Sequence, residues 1–408
     1  MMLLKIAWRN IWRSKTRSAV VIFAITSGLV GGLFSSAWMN GMAKQRVINT
    51  FSYETAHIQL HHPNFVDNFD VKRTISLTDK KLNYISKMEG VKAVTSRLIV
   101  SAMAATANKN MGVTIVGIYP KTEKEVFGLY KNVDSTTGDF FISKKKNSIV
   151  VSKALAKELK VKIKSKIILT FQDYNGEITG AAFKVIGIFK TDNSPWDKTH
   201  VFVKDTDLRK VVEIPKGQSH EIDILLDDYE QASFISTDLQ SKYPELLSED
   251  WSEIQPYLSF ITEYMDMMMA IFIIIILSAL GFGIVNTMLM VILERTKELG
   301  MLMGIGMNKK RIFLMIMFET ILLALVGAFL GEFISMLLIN HYGKVGINIS
   351  SLAEGMESVG YSAISYPVLE TYRYMQITVL VILTGIFASI YPAVKALKLN
   401  PADAIRTL

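Results

Sequence analysis

The stretch 294–313, ERTKELGMLMGIGMNKKRIF, places seven charged residues and three glycines in twenty positions, between two long apolar runs. The run before it, 267–293, has no charged residue, and the run after it, 312–342, contains only the acids Glu319 and Glu332. Two more uncharged runs occupy 18–43 and 374–394. Each reaches the roughly 20 residues that an α-helix needs to cross ~30 Å of hydrocarbon. The pattern predicts four transmembrane α-helices, at 18–43, 266–293, 312–342 and 374–394. The quoted stretch, 294–311 in particular, is then a short loop between the second and third of them. Its charges, its glycines and its helical spacing exceed what a plain connection requires.

Lys and Arg counts set the orientation. Lys5, Arg9, Arg13, Lys15 and Arg17 precede the first membrane helix. Arg295, Lys297, Lys309, Lys310 and Arg311 fill the short loop, and Lys395, Lys398 and Arg406 follow the fourth helix. The loop 343–373 has only Lys344 and Arg373. Both termini, including the tail 395–408, and the 294–311 loop are therefore expected in the cytoplasm, with 44–265 outside. This topology accounts for the net charge of +8 better than nucleic-acid binding does, and no nucleic-acid partner is expected. The first apolar run is too long for a cleaved signal and lacks a small-residue cleavage site, so it reads as a retained anchor. There is no cysteine, hence no thiol or disulfide chemistry.

Residues 1–17 read as an amphipathic interfacial helix. Lys5, Arg9, Arg13 and Arg17 recur every four residues as one basic stripe, while Leu4, Trp8, Ile11 and Trp12 supply apolar and interfacial surface. An orienting anchor and a regulatory element both fit. Small residues also recur every four positions, at Ser27, Gly31 and Ser35, at Gly28, Gly32 and Ser36, and at Gly327 and Gly331. Such stripes admit close helix packing, within one chain or between two.

The outside segment alternates strand and helix patterns. Strands are predicted at 57–62, 114–119, 182–189, 200–205 and 221–226. Helices are predicted at 79–88 and near 230–243, and 148–171 reads as strand, helix, strand. The expected fold is a large α/β domain inserted between the first two membrane helices. A lobe of 44–120 plus 218–260 would be interrupted by a β-rich lobe at 121–217.

Catalytic motifs are absent. No GxxxxGK[ST] occurs in the chain, nor GxSxG, nor HExxH. Of six histidines, three cluster as His57, His61 and His62, too few ligands on one strand face for a metal. Glu319 and Glu332 are 13 residues apart and fall on different helix faces, which favours buried hydrogen bonding over a proton relay. On pattern alone, Glu294, Arg295 and Glu298, the notch at Gly300, Gly304 and Gly306, and the run Lys309 to Arg311 suit either docking into a soluble partner or a charged helix turn.

The stretch also resembles the coupling segment of the MacB/FtsX/lipoprotein-releasing permease superfamily of ABC transporters. That segment reads E-R-x-x-E-x-G, a small residue, I-G and a basic run. Glu294, Arg295, Glu298, Gly300, Ile305, Gly306 and Arg311 match it, with Gly304 where alanine is usual. IVNTMLMVILERT at 284–296 is similar to the family's second helix. WRNIWRSKTR at 8–17 is similar to its first helix, and IYPAVKALKLNPADAIR at 390–406, with Pro392 and Pro401, to its closing motif.

The resemblance implies a MacB-like periplasmic core domain and no cofactor on this chain, ATP and Mg being bound by a dimer of separate ATPase subunits. It implies a second permease subunit, identical or related. Closure of the ATPases would pass through Glu294, Arg295, Glu298, Gly300, Gly304, Gly306, Lys309 and Arg311 to the membrane helices and the outside domain, the mode called mechanotransmission.

An unfused chain with an outside domain near 220 residues resembles the lipoprotein-releasing branch, as do ETAHIQLHHPNF and WSEIQPYL. That branch implies the bacterial inner membrane, a lipoprotein substrate and a periplasmic carrier. Acyl contacts would fall at Trp38, Met39, Met42 and Phe51, and at Phe260, Tyr264, Met265, Met267, Met268 and Met269. A MacB-like efflux permease or an FtsX-like relay to a cell-wall hydrolase would use the same scaffold.

Overall fold

The computed structural model describes residues 2–13, 15–107, 109–134, 138–142 and 145–398. Among them the helices are α1 (Met2–Arg13), α2 (Lys15–Tyr53), α3 (Asp79–Ile85), α4 (Pro120–Val126), α5 (Lys153–Glu158), α6 (Ser194–Thr199), α7 (Asp205–Val212), α8 (Ala232–Lys242), α9 (Trp251–Ile254), α10 (Pro256–Glu294), α11 (Thr296–Gly304), α12 (Lys309–Val345), α13 (Ala353–Ser358) and α14 (Thr371–Leu397). The strands are β1 (Ile58–His61), β2 (Ile75–Ser76), β3 (Val91–Ala105), β4 (Asn110–Ile118), β5 (Ser148–Ser152), β6 (Lys166–Gln172), β7 (Ile178–Phe189), β8 (His200–Lys204), β9 (Gln218–Ser219), β10 (Glu221–Leu226), β11 (Leu247–Asp250), β12 (Ile347–Asn348) and β13 (Ile364–Ser365). The chain divides into a helical unit, Met1–Ala43 with Glu263–Asn348 and Ile364–Leu408, and an α/β unit, Lys44–Thr262 with Ile349–Ala363.

Four helices, α2, α10, α12 and α14, are long and apolar enough to cross a membrane. Two of these helices run beyond their apolar spans, and the loop after α12 is divided. α2 has 39 residues, about 58 Å at ~1.5 Å per residue, and continues ten residues beyond Ala43. α10 starts at Pro256, a residue favoured at the first helical position, ten residues before 266. Lys44, Arg46, Glu263 and Asp266 end the hydropathy of these segments but not their helicity. The loop expected at 343–373 is divided: β12 pairs with β13 in the helical unit, and 349–363 belongs to the α/β unit.

In the helical unit α12 is central. Ile312, Met315, Ile316, Thr320, Leu323, Ala324, Ala328, Ser335 and Ile339 are buried at three- and four-residue spacing. Its small residues bring α2 to backbone contact. A Cβ on Gly327 would stand 2.7 Å from Ile25 Cγ2, and one on Gly331 would stand 2.9 Å from Leu29 Cβ. Thr26 Oγ1 donates to the Gly327 carbonyl at 3.1 Å. Gly28 and Gly32 instead face α10, where a Cβ would meet Leu280 at 3.4 Å and Ile276 at 2.7 Å. These stripes thus pack helices of a single chain.

The α1 helix departs from the expected stripe pattern. Ala7 and Ile11 are buried, whereas Leu4, Trp8 and Trp12 are exposed, the two indoles edge to face at 5.8 Å. Ile11 is therefore core, not interfacial surface. The side chain of Arg17 and the tail 399–408, with Pro401 and Arg406, lie outside the described residues.

In the α/β unit the strand order is β11-β1-β10-β3-β4-β8-β5-β7-β6, and β6 also pairs with β3. Six strands, β3 to β6 through β4, β8, β5 and β7, therefore close a ring of pairings. Leu98, Ile115, Ile149, Leu169, Phe183 and Val203 belong to its core. The 15-residue β3, which the strand patterns above omit, joins this ring to β10, β1 and β11. The boundary expected at 120/121 is crossed by the β4–β8 pairing, so 121–217 completes a barrel with β3 and β4.

Within the α/β unit the charge is unevenly distributed. Residues 121–217 hold nineteen Lys and Arg against twelve Asp and Glu, whereas 218–262 hold ten acids and a single Lys. The two largely cancel, so 44–262 as a whole holds 30 Lys and Arg against 27 acids, whereas 1–43 holds five Lys and Arg and no acid and carries the larger part of the net +8.

Candidate functional site: the 294–311 helical hairpin

The stretch 294–311 folds as a helical hairpin. α10 ends at Glu294, and Arg295, with φ −99° and ψ 15°, breaks the helix and caps α11. α11 ends in a Schellman turn. Gly306 N–H donates to Met303 O at 3.0 Å, and Met307 N–H donates to Leu302 O at 2.9 Å. This arrangement requires a left-handed residue after the C-cap, and Gly306 supplies it with φ +95°. Leu302 and Met307 pack on the helix core. Asn308 then caps α12, its side chain accepting from Lys310 N–H at 3.1 Å. Gly306→Ala should destabilise the hairpin by about 1–2 kcal/mol, the cost of a Cβ in left-handed backbone. Thermal unfolding of the purified chain, wild type against variant, measures this, and an unchanged midpoint would refute the turn assignment.

The charged residues are tied inward. Arg295 Nη1 donates to both oxygens of Glu319 at 3.1 and 3.2 Å. Its Nε donates to Glu298 at 3.0 Å. Glu298 also accepts from Arg13 of α1, and this contact holds its carboxyl below the usual range. A chain of four charges, Arg13–Glu298–Arg295–Glu319, thus links α1, α11 and α12. Its inner pair is enclosed, with Arg295 and Glu319 side chains 15% and 6% exposed. Arg295 and Glu298, expected to grip a soluble partner, are engaged within the chain. Glu319 resolves as a buried hydrogen-bond acceptor, and Glu332 accepts from Thr378 at 2.5 Å, pinning α12 to α14.

The glycines separate as well. Gly300 is buried, whereas Gly304 and Gly306 are exposed, with nothing within 4 Å of an added Cβ. Lys297 and Met301 of α11 and its C-cap Ile305, four residues apart, are exposed. Met301 is 52% exposed and Ile305 86%. Glu294, Lys309, Lys310 and Arg311 of the same hairpin are exposed as well. The sequence reading missed Met301 and Ile305 as site residues, although two apolar side chains at i and i+4 among charges were the available signal.

The residues expected to touch acyl chains differ in exposure. Phe51 is buried, with its ring 4.6 Å from His57 and 5.7 Å from Trp251, and is core in the α/β unit. Met269 is buried. Trp38, Met39, Met42 and Met265 are half-buried, and Phe260, Tyr264, Met267 and Met268 are exposed. Between α2 and α10, within the helical unit, lies a groove of 580 Å³. Gly28, Gly31 and Gly32 line one wall and Phe272, Ile276 and Gly283 the other.

The histidines expected to cluster are engaged one by one. His57 Nδ1 accepts from Leu226 N–H at 3.1 Å, His61 bonds Glu249 at 2.6 Å, and His62 accepts from Asn64 N–H at 3.1 Å.

Four apolar helices of membrane-crossing length, an α/β unit inserted after the first and a charged hairpin between the second and third define a polytopic permease. Residues 18–241 match the MacB-like periplasmic core domain, and 270–401 match the FtsX-like permease C-terminal domain. The chain belongs to this family of ABC transporter permeases. It is 21% identical to the lipoprotein-releasing system transmembrane protein LolE of Haemophilus influenzae, over 80% of this chain and 79% of LolE. It is 22% identical to the ABC transporter permease YknZ of Bacillus subtilis, over 99% and 98% of the two chains. It is 22% identical to the macrolide export ATP-binding/permease protein MacB of Haemophilus ducreyi, over 98% of this chain but 55% of MacB. The crystal structure of the periplasmic region of MacB from Actinobacillus actinomycetemcomitans superposes with TM-score 0.35 at 13% identity, over 53% of this chain and 98% of that one.

Proposed function

We propose that this chain is the permease subunit of an ATP-driven complex that extracts lipoproteins from the bacterial inner membrane for transfer to the outer membrane, by mechanotransmission. Both termini and the α11 hairpin face the cytoplasm, and the α/β domain faces the periplasm. Two ATPase subunits hold ATP and Mg, a second permease, identical or related, completes the complex, and a periplasmic carrier receives the lipoprotein. The observation that carries this reading is the exposed pair Met301 on α11 and Ile305 at its C-cap, in a hairpin that also exposes Lys297, Lys309, Lys310 and Arg311. Exposed apolar side chains in a hairpin rich in exposed cations suit a groove on a soluble partner. Behind it, the Arg295–Glu319 bridge passes displacement into α12, and Gly327 and Gly331 pass it to α2.

Substrate handling fits the outer parts of α2 and α10. Exposed Met267 and Met268 offer flexible, polarizable surface that suits varied acyl chains. The α2–α10 groove offers an apolar slot, and the likeness to LolE supports this branch.

Photo-crosslinking at Met42 and Met267 in cells, followed by mass spectrometry, tests the reading. Acylated lipoproteins are the expected catch. Small molecules or toxins would replace lipoprotein release with MacB-like efflux. Phospholipid alone would favour an FtsX-like relay that controls a cell-wall hydrolase.

A further inference from the structure

One face of the α/β unit buries more carboxylates than it has cations to match. Glu221 and Asp223 are two residues apart on β10 and so project to one face. Across the strands, Glu221 lies opposite Arg97 of β3 and His61 of β1, and Asp223 lies opposite Thr95 and Gln59. α4 supplies Glu123. Arg97 makes its two hydrogen bonds to Glu123, at 2.6 and 3.3 Å, and stacks over the Phe127 ring at 3.5 Å. His61 is turned to Glu249 of β11. Three buried carboxyls, Glu123, Glu221 and Asp223, therefore share the single guanidinium of Arg97.

Asp223 shows the shortfall directly. Its side chain is fully buried. Oδ1 accepts from Gln59 Nε2 at 2.8 Å, but Oδ2 has no hydrogen-bond partner, and Arg97 Nε stays 3.8 Å away. A buried acceptor without a donor has lost its water and gained nothing in return, a deficit that is larger when it is charged. The nearest acid on the same strand face is Glu221, two residues away on β10 and also buried.

We propose that Glu221 and Asp223 bind one proton between them at neutral pH, with Glu221 carrying it and donating to Asp223 Oδ2, so that this face of the domain is a proton site. The proton supplies the missing donor and leaves one negative charge fewer beside Arg97. Burial and the neighbouring carboxylate both push Glu221 well above the usual range, and burial raises Asp223 and Glu123 as well. The pair titrates as a unit. Because the folded value exceeds the unfolded one, the stabilisation is complete below the ordinary carboxylate pKa and is lost as pH rises through the raised value. Deprotonation would set α4, with its own Glu123, against a face of uncompensated charge.

Infrared spectroscopy of the purified full-length chain at pH 7 is the test. The expected result is a protonated-carboxyl C=O band that is present in the wild type and absent in Glu221→Gln. The wild type should also lose thermal stability with rising pH more steeply than Glu221→Gln, whose amide donates to Asp223 at every pH. A band unchanged by the substitution would overturn the proposal. So would a calcium-dependent loss of the band with a rise in midpoint, which would make this a cation site. Should Glu221→Gln fail to fold, wild-type chain carrying ¹³C-carboxyl glutamate must shift part of the band, and no shift would equally refute it.

Discussion

Glu319→Ala is expected to lower stability by about 3 kcal/mol, the low end of what removing one partner of a buried ion pair costs, and to abolish communication along the hairpin. The substitution leaves the Arg295 guanidinium, 15% exposed, with only Glu298 as a carboxylate partner. The lower figure fits because Arg295 keeps that bond and some access to water. Glu319→Gln retains shape and one acceptor and should cost about half as much. Arg295→Lys should resemble Glu319→Ala, because an ammonium cannot span two carboxylates as a guanidinium fork does. By contrast Arg13→Ala removes an exposed pair and should cost under about 1 kcal/mol. Thermal unfolding in detergent, together with ATPase activity of the reconstituted complex, would separate these variants. A wild-type midpoint and wild-type stimulated activity in Glu319→Ala would leave the bridge without a role.

The second large effect is expected at Gly327. A Cβ there stands 2.7 and 2.8 Å from Ile25 and 3.4 Å from the Ile22 carbonyl, so no rotamer of a larger residue avoids α2. Gly327→Ala should cost about 2 kcal/mol by overpacking, and Gly327→Leu more than the ~3 kcal/mol typical of such insertions, enough to prevent accumulation of folded protein. Gly31 is the control: nothing lies within 4 Å of its Cβ position. Gly31→Ala should therefore leave the midpoint of the isolated chain unchanged or slightly raised. Expression and unfolding measurements of the three variants decide between this contact and a merely flexible helix, which Gly327→Leu would not disturb.

Hydropathy made the four membrane helices legible because a span must hide its backbone in one apolar, self-bonded segment. It does not mark the ends of α2 and α10, because charge stops burial in lipid without stopping a helix. Strand patterns found β1, β4, β5, β6, β7, β8 and β10. They missed β3, whose VKAVTSRLIVSAMAA is buried on both sides over 95–100 and so lacks clean alternation. The separate lobe expected at 121–217 was also illegible as a barrel, because ring closure through the β3–β6 and β4–β8 pairings is a long-range property.

For the candidate site, the sequence by itself determined that 294–311 is a charged, glycine-punctuated connection between two membrane spans. Residue type and spacing suffice for that, and Gly306 marks the turn because only glycine accepts its backbone readily. The tertiary structure alone decided which charges face outward. Arg295 and Glu298 read like surface grips, yet Glu319, 24 residues from Arg295, draws the guanidinium inward and leaves Met301 and Ile305 as the exposed face. The destination of a charge depends on which opposite charge shares its low-dielectric surroundings, and that partner is set by how α11 packs on α12, which local pattern does not encode.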